Sequence, residues 1–266
     1  MKQSIQLCSA VLLALFTALP ACAKEKDKAE HVKFQFNGKD REYLVQIPGS
    51  AAPNTPLPVV VLIHDQGGYA QDVLKYWTSF ASHQGFIVVS PESTSNTMWN
   101  YQIDGPEFLH AVLLDVNKKH PIDPTKVYLF GGDTGGVFAI PVGFLDSQDW
   151  GAVCGIRVIV PTEDYTYFSH AVRKIPIQVW VGDSDDDHPL RVMTLEHDAF
   201  VKAGFPFDLR IIQNSDANYG NVYDQVNESC YKFFMKNPIP APGAPYLVQA
   251  GAGTAAPAAA PAAAPK

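Results

Sequence analysis

The stretch Gly131-Gly132-Asp133-Thr134-Gly135-Gly136 follows the apolar run Val127–Phe130 and precedes a helix-like stretch, Val137–Leu145. Strand, Gly-x-X-x-Gly, helix is a layout that forces a sharp turn and presents its central side chain at the end of a strand, where a nucleophile is commonly held. The central residue is Asp133, where a Ser is usual. A carboxylate has no hydroxyl to deprotonate, so the attack that a serine makes on an acyl carbon is closed to it. Two roles remain for Asp133. It attacks as an aspartate nucleophile, giving an ester that a His-activated water hydrolyses, or it is kept as a turn residue, because Asp tolerates left-handed backbone better than most side chains.

Other groups bear on chemistry. Asp183-Ser184-Asp185-Asp186-Asp187-His188 has acids at the 1, 3, 5 spacing of a calcium loop, but position six is His188 and position twelve is Thr194, where Gly and Glu are required. A solvated acidic loop at the start of the helix near Pro189 explains the same residues through the helix dipole. Neither a metal nor a cofactor is therefore expected. Trp99 and Tyr101 follow the polar loop Ser93–Thr97 and are candidates for a stacking floor under a sugar or aromatic ring, the alternative being packing beneath the loop. His83, His110, His120, His170 and His197 are scattered singly, without ligand spacing.

These residues must be held by a scaffold, and the hydrophobic pattern supplies one. Val32–Phe36 and Tyr43–Ile47 flank the turn signal Asn37-Gly38 and read as an antiparallel hairpin. Val59–Ile63 and Phe86–Val89 are apolar runs suited to strands buried on both faces. Val73–Ser82 and Phe108–Val116 carry helical spacing. Val153–Val160, Ile177–Val181 and Leu209–Ile212 continue the strands, with helices at Leu190–Lys202 and Val222–Phe234. Such alternation predicts an α/β fold with a mainly parallel sheet, helices on both faces and an antiparallel start. The short Pro161–Ile175 connection leaves no room for a cap domain.

The N-terminus reads as a signal peptide, residues 1–23: Lys2, an apolar Ala10–Leu19 and the small-x-small site Ala21-Cys22-Ala23. Export to the periplasm or outside the cell follows, with lipid anchoring through Cys22 as the alternative. No later run approaches the length of a membrane span. Cleavage moves the net charge from −7 to −8 by removing Lys2. An acidic chain without a basic cluster argues against nucleic acid as a partner. Cys154 and Cys230 survive cleavage and either pair in an oxidising compartment or pack as buried thiols. Residues 24–237 suit one domain, and the Pro/Ala/Gly-rich 238–266 is expected to be a disordered tail. The sequence names no oligomeric state.

Several phrases carry a likeness: Arg41-Glu-Tyr-Leu-Val-Gln-Ile-Pro48, Leu57-Pro-Val-Val-Val-Leu-Ile-His64, Gly85-Phe-Ile-Val-Val-Ser-Pro91, Ile122-Asp-Pro-Thr-Lys-Val-Tyr-Leu-Phe-Gly131 and Lys202-Ala-Gly-Phe-Pro-Phe-Asp-Leu-Arg210. Over about residues 31–235 the chain resembles the α/β-hydrolase superfamily. Within it, the chain looks like the secreted feruloyl-esterase, acetylxylan-esterase and polyhydroxybutyrate-depolymerase-like group. The resemblance implies the α/β-hydrolase fold, with a nucleophile at Asp133, an acid at Asp185 and a His at Ala217 or Asn218. It also implies oxyanion donors around His64, Asp65, Gln66 and Thr134, and a small ester or saccharide ligand.

The chain departs from that pattern in three places. Asp133 replaces Ser, Asp65 stands where the oxyanion loop has Gly, and neither Ala217 nor Asn218 can accept a proton. The expected function is therefore an exported fold that has lost catalysis and holds a ligand in the former cleft. The alternative is a working carboxylic-ester hydrolase. Asp65, Asp133 and Asp185 should crowd at the strand ends without the positive partner that His would provide, and at least one should have a raised pKa. On that expectation, removing the Asp133 charge stabilises the protein at neutral pH.

Overall fold

The computed structural model describes residues 29–251. The expected signal peptide and residues 252–266 of the expected tail lie outside the described residues. The elements run β1 (Glu30–Phe36), β2 (Lys39–Gln46), β3 (Leu57–Ile63), α1 (Ala70–Gln84), β4 (Ile87–Pro91), α2 (Pro106–Lys119), β5 (Ile122–Gly132) and α3 (Asp133–Leu145). Then come β6 (Val153–Ile156), β7 (Ile177–Gly182), α4 (Leu190–Lys202), β8 (Phe207–Ile212), α5 (Tyr219–Lys236) and α6 (Pro245–Gly251).

One eight-stranded sheet takes the order β1-β2-β4-β3-β5-β6-β7-β8. β2 is antiparallel to both β1 and β4, and the remaining pairs are parallel. The β1–β2 turn places both Asn37 and Gly38 at positive φ, the twist-matched two-residue turn that Asn-Gly favours. Alternation along β3 divides the interior. Val60 and Leu62 join Leu74 and Trp77 of α1 and Val226 and Phe234 of α5 on one face. Val59, Val61 and Ile63 pack on the other face with α2, α3 and α4, through Phe108, Phe138 and Phe200. Strand side chains alternate between faces, so an unbroken apolar run is what a sheet covered on both sides requires.

The structure departs from the sequence reading in two places that matter. β6 stops at Ile156 instead of continuing to Val160, because Arg157 takes φ 56° and turns the chain out of the sheet. The expected disordered tail begins too early, since the fold continues to Gly251. Ile239 N donates to Thr125 O at 2.8 Å and Ala244 N to Pro124 O at 2.7 Å, and Ile239, Ala244 and Leu247 are buried. Paired backbone amides and a few well-placed apolar side chains order a segment whose composition suggests none. Residues 161–175 form only a 3-10 helix, Thr162–Ser169, so among the described residues no cap domain covers the sheet.

Cys154 of β6 and Cys230 of α5 form a disulfide with a Cα–Cα distance of 5.8 Å and a sequence separation of 76. It ties the closing helix to the middle of the sheet. Closing a loop of that length removes unfolded-chain entropy, with an expected stabilisation of about 4.5 kcal/mol. Urea denaturation with and without a thiol reductant should show a loss of that size. A midpoint unchanged by reduction would mean that the bridge does not constrain the unfolded chain.

Candidate functional site

The loops at the carboxyl ends of β3, β5, β6, β7 and β8 converge on one place, as expected for an α/β sheet. β5 ends at Gly132 and α3 begins at Asp133, whose φ of 45° confirms the sharp turn. Close approach demands glycine on either side of it. A Cβ on Gly131 would lie 2.5 Å from the Gly135 carbonyl, and one on Gly135 would lie 2.4 Å from Ile63 O. The turn thus nests against both its own helix and the end of β3.

The backbone amides of Gln66 and Thr134 are the pair that this geometry offers to a developing oxyanion: one from the loop after β3, one from the residue after the nucleophile position. Both are occupied from within. Gln66 N donates to Asp65 Oδ1 at 2.7 Å and Thr134 N donates to the same oxygen at 3.2 Å. The Thr134 hydroxyl also donates to it, and in turn accepts from Gln66 N at 2.7 Å. A carboxylate at the N-terminus of α3 is favoured by the helix dipole. Asp65, which stands where the resemblance expects Gly, thus takes up both of the amides expected to serve an oxyanion.

His64 is structural. Its Nδ1 lies 2.8 Å from Asp65 O and its Nε2 3.3 Å from Ser93 N, contacts that orient the ring. Trp99 donates to His64 O at 2.9 Å and lies between the His64 ring and Phe138, each centroid 4.8 Å away. Tyr101 stacks on the other side of Phe138, and its hydroxyl donates to Val137 O at 3.1 Å. Trp99 is 7% exposed, so its ring packs beneath the loop, the alternative named for it beside the stacking floor. That loop is itself pinned by Arg41, whose guanidinium meets the fully buried Asp104 at 2.7 Å.

Asp185, the acid position after β7, is buried. Its Oδ1 accepts from the backbone N–H groups of Asp187 and His188, both at 3.0 Å. Its Oδ2 faces the Arg157 guanidinium and the His188 ring, neither of which the sequence reading placed here. Arg157 Nε lies 3.3 Å from Asp185 Oδ2 and 3.2 Å from Asp133 Oδ1. His188 Nδ1 lies 3.3 Å from Asp185 Oδ2, with Nε2 3.8 Å from Asp133 Oδ1. The two carboxylates and two nitrogen bases thus form a closed ring. Arg157 reaches further, to exposed Asp187 at 3.6 Å and to Asp216 O at 3.4 Å.

The expectation that Asp133 lacks a positive partner is therefore wrong. The expected raised pKa nevertheless holds for Asp133: burial pushes it up, Arg157 opposes that, and the nearby Asp65 and Asp185 carboxylates add to the rise. A sequence signal for His188 existed, three residues beyond Asp185 on the same loop. Arg157 gave none, because residues 153–160 read as continuous strand.

The usual His position holds no base. Ala217 is fully buried with φ 53°, and Asn218 caps α5 by accepting from Gly220 N at 3.1 Å. Beside Asp133 a cavity of about 260 Å³ is lined by Asp65, Asp72, Tyr76, Asp133, Asn218 and Tyr219. Its size suits a small ligand.

Two outcomes follow for the ring of charges. Arg157→Gln leaves Asp133 and Asp185 without a permanent cation, which should cost about 2 kcal/mol at pH 7, below the full penalty for a deeply buried pair. The loss should shrink as pH falls through the carboxylate range, because protonation removes the repulsion. Asp133→Asn should raise Tm at neutral pH. A carboxyl with a raised folded pKa costs stability above its unfolded pKa and none well below it, so that gain should fade toward about pH 3. Thermal melts of both variants at neutral and acid pH check these signs, and a lower melting Asp133→Asn at pH 7 would mean that the Arg157 pairing outweighs burial.

Comparisons with known proteins agree on the fold. No family model matches the chain. A stretch of 103 residues is 31% identical to the bifunctional acetylxylan esterase/xylanase XynS20E of Neocallimastix patriciarum, covering 38% of this chain and 15% of that protein. Esterase 2 of Thermogutta terrifontis superposes with a TM-score of 0.62 at 15% identity, over 78% of this chain and 94% of that one. A ferulic acid esterase gives 0.62 at 16% identity, over 79% and 98%. An S-formylglutathione hydrolase from Agrobacterium tumefaciens gives 0.61 at 15%, over 78% and 94%. With the strand order and the strained turn at Asp133, these likenesses establish that the chain has the α/β-hydrolase fold.

Proposed function

We propose that this chain is an esterase-like α/β-hydrolase-fold protein that no longer performs acyl transfer and holds a small ester or saccharide ligand in the cleft beside Asp133. The observation that carries the reading is the Asp65 carboxylate bound by the Gln66 and Thr134 amides. An oxyanion needs those two donors free, and stabilising it is commonly the largest single contribution to such catalysis. The nucleophile position compounds the loss. Asp133 is held in ion pairs that reduce its reactivity, and it has no hydroxyl to offer.

A second reading is favoured by one observation. His188 stands between Asp133 and Asp185 with its two nitrogens facing one carboxylate each, the order that a nucleophile, base and acid require. A hydrolase using Asp133 as nucleophile would draw its base from His188 rather than from position 217 or 218.

p-Nitrophenyl acetate and butyrate assays separate the two. The purified protein should give no turnover above buffer, and Asp133→Ala should change nothing. Turnover abolished by both Asp133→Ala and His188→Gln would establish the second reading instead. A gain-of-function test bears on the oxyanion site directly. Asp133→Ser alone should stay silent, whereas Asp133→Ser with Asp65→Gly should acquire ester hydrolysis that is lost again on His188→Gln.

The proposal places the protein outside the cytoplasm, in the periplasm or secreted, with lipid anchoring through Cys22 as the alternative. The Lys2–Ala23 leader and the Cys154–Cys230 disulfide support an oxidising compartment. The mass of the mature N-terminus after fractionation distinguishes cleavage before Lys24 from acylation at Cys22.

A further inference from the structure

Away from the strand-end loops, three donor groups meet at the opposite side of α3. His110 projects from α2, Asp146 caps the C-terminus of α3, and Asp149 lies in the turn that leads to β6. His110 Nε2 is 3.0 Å from Asp146 Oδ2 and 3.4 Å from Asp149 Oδ2. All three donor atoms lie within 4.8 Å of one another. The sequence reading treats His110 as isolated; the fold brings the acids to it.

Zinc binds N and O donors at about 2.0–2.2 Å, which sets neighbouring donors about 3.3 Å apart around a tetrahedral ion. The two measured separations bracket that value. Asp149 is 5% exposed, and its second oxygen has no hydrogen-bond partner. A buried carboxylate oxygen left unpaired is costly unless something positive completes it. Among the described residues no Lys or Arg lies at ion-pair distance from Asp146 or Asp149, so His110 alone faces two acids.

We propose that His110, Asp146 and Asp149 bind a divalent transition metal, zinc foremost, with a fourth position open to water. An imidazole and two carboxylates suit zinc, whereas calcium asks for six or more oxygens. The Tyr246 ring of α6 stacks on His110 at 4.0 Å, so the ion would bind α2, the end of α3 and the C-terminal helix into one unit. The site is independent of the Asp133 cleft and of the reading given to it.

The test uses tag-free protein stripped with a chelator and titrated with Zn²⁺ by calorimetry. One equivalent should bind with a Kd of roughly 10 µM or tighter and raise Tm, as a ligand of the folded state does. Asp149→Asn and His110→Gln should each weaken binding by roughly tenfold or more, while Asp133→Asn binds as the wild type does. Co²⁺ in place of Zn²⁺ should give visible absorption that is lost in His110→Gln, which keeps the assignment testable should Asp149→Asn fail to fold. A folded wild type that binds no Zn²⁺ in that range, or variants that bind equally well, would overturn the metal assignment. The trio would then be a structural contact of His110 with two acids.

Discussion

The Arg157 guanidinium is the interaction around which the strand-end loops are arranged. Parallel strands deliver Asp133, Asp185 and Asp187 to the same edge, and like charges at such distances repel strongly where water is partly excluded. A permanently charged, planar group with several donors can face several acids at once, which an ammonium does less well. Arg157 reaches that position by leaving β6 early at positive φ. Its contact with Asp216 O extends the same anchor to the loop before α5. One side chain therefore holds the turn after β5, the acid loop after β7 and the loop where a catalytic His would stand.

The Asp65 carboxylate solves a separate problem by similar means. A helix that starts at a tight turn has backbone N–H groups without intrahelical partners. In an ester hydrolase those donors await the substrate's oxygen; here a resident carboxylate takes Thr134 N and Gln66 N together. The loop and helix gain a charge-assisted link.

Much of this was legible in the sequence because it rests on local rules. The apolar runs of β3, β4 and β7, the Asn37-Gly38 turn and the glycines about Asp133 each announce their own geometry. What escaped was set by tertiary context. Nothing near Arg157 distinguishes a strand residue from one that turns out of the sheet, so the principal cation of the site was invisible. His188 was read as a flaw in a calcium pattern, although its i, i+3 spacing from Asp185 allowed contact within the loop. Ile239, Ala244 and Leu247 are too sparse to signal order, yet each finds a prepared place against β5 or α2. The gathering of His110, Asp146 and Asp149 likewise depends on how α2 and α3 pack, which spacing along the chain does not encode.

The persistence of the turn at Asp133 without its serine shows which constraints belong to the fold and which to the reaction. Gly131 and Gly135 are fixed because a Cβ on either would fall within 2.5 Å of backbone atoms, well inside van der Waals contact, whatever residue stands between them. The central position asks only for a side chain that tolerates φ near 45° and, in this chain, for one that can meet the Arg157 guanidinium. Asp satisfies both demands. Serine would satisfy the first and leave Arg157 and His188 facing Asp185 alone. The side chain that holds the turn is therefore also the one that meets the Arg157 guanidinium, at the cost of burying a carboxylate beside Asp65 and Asp185.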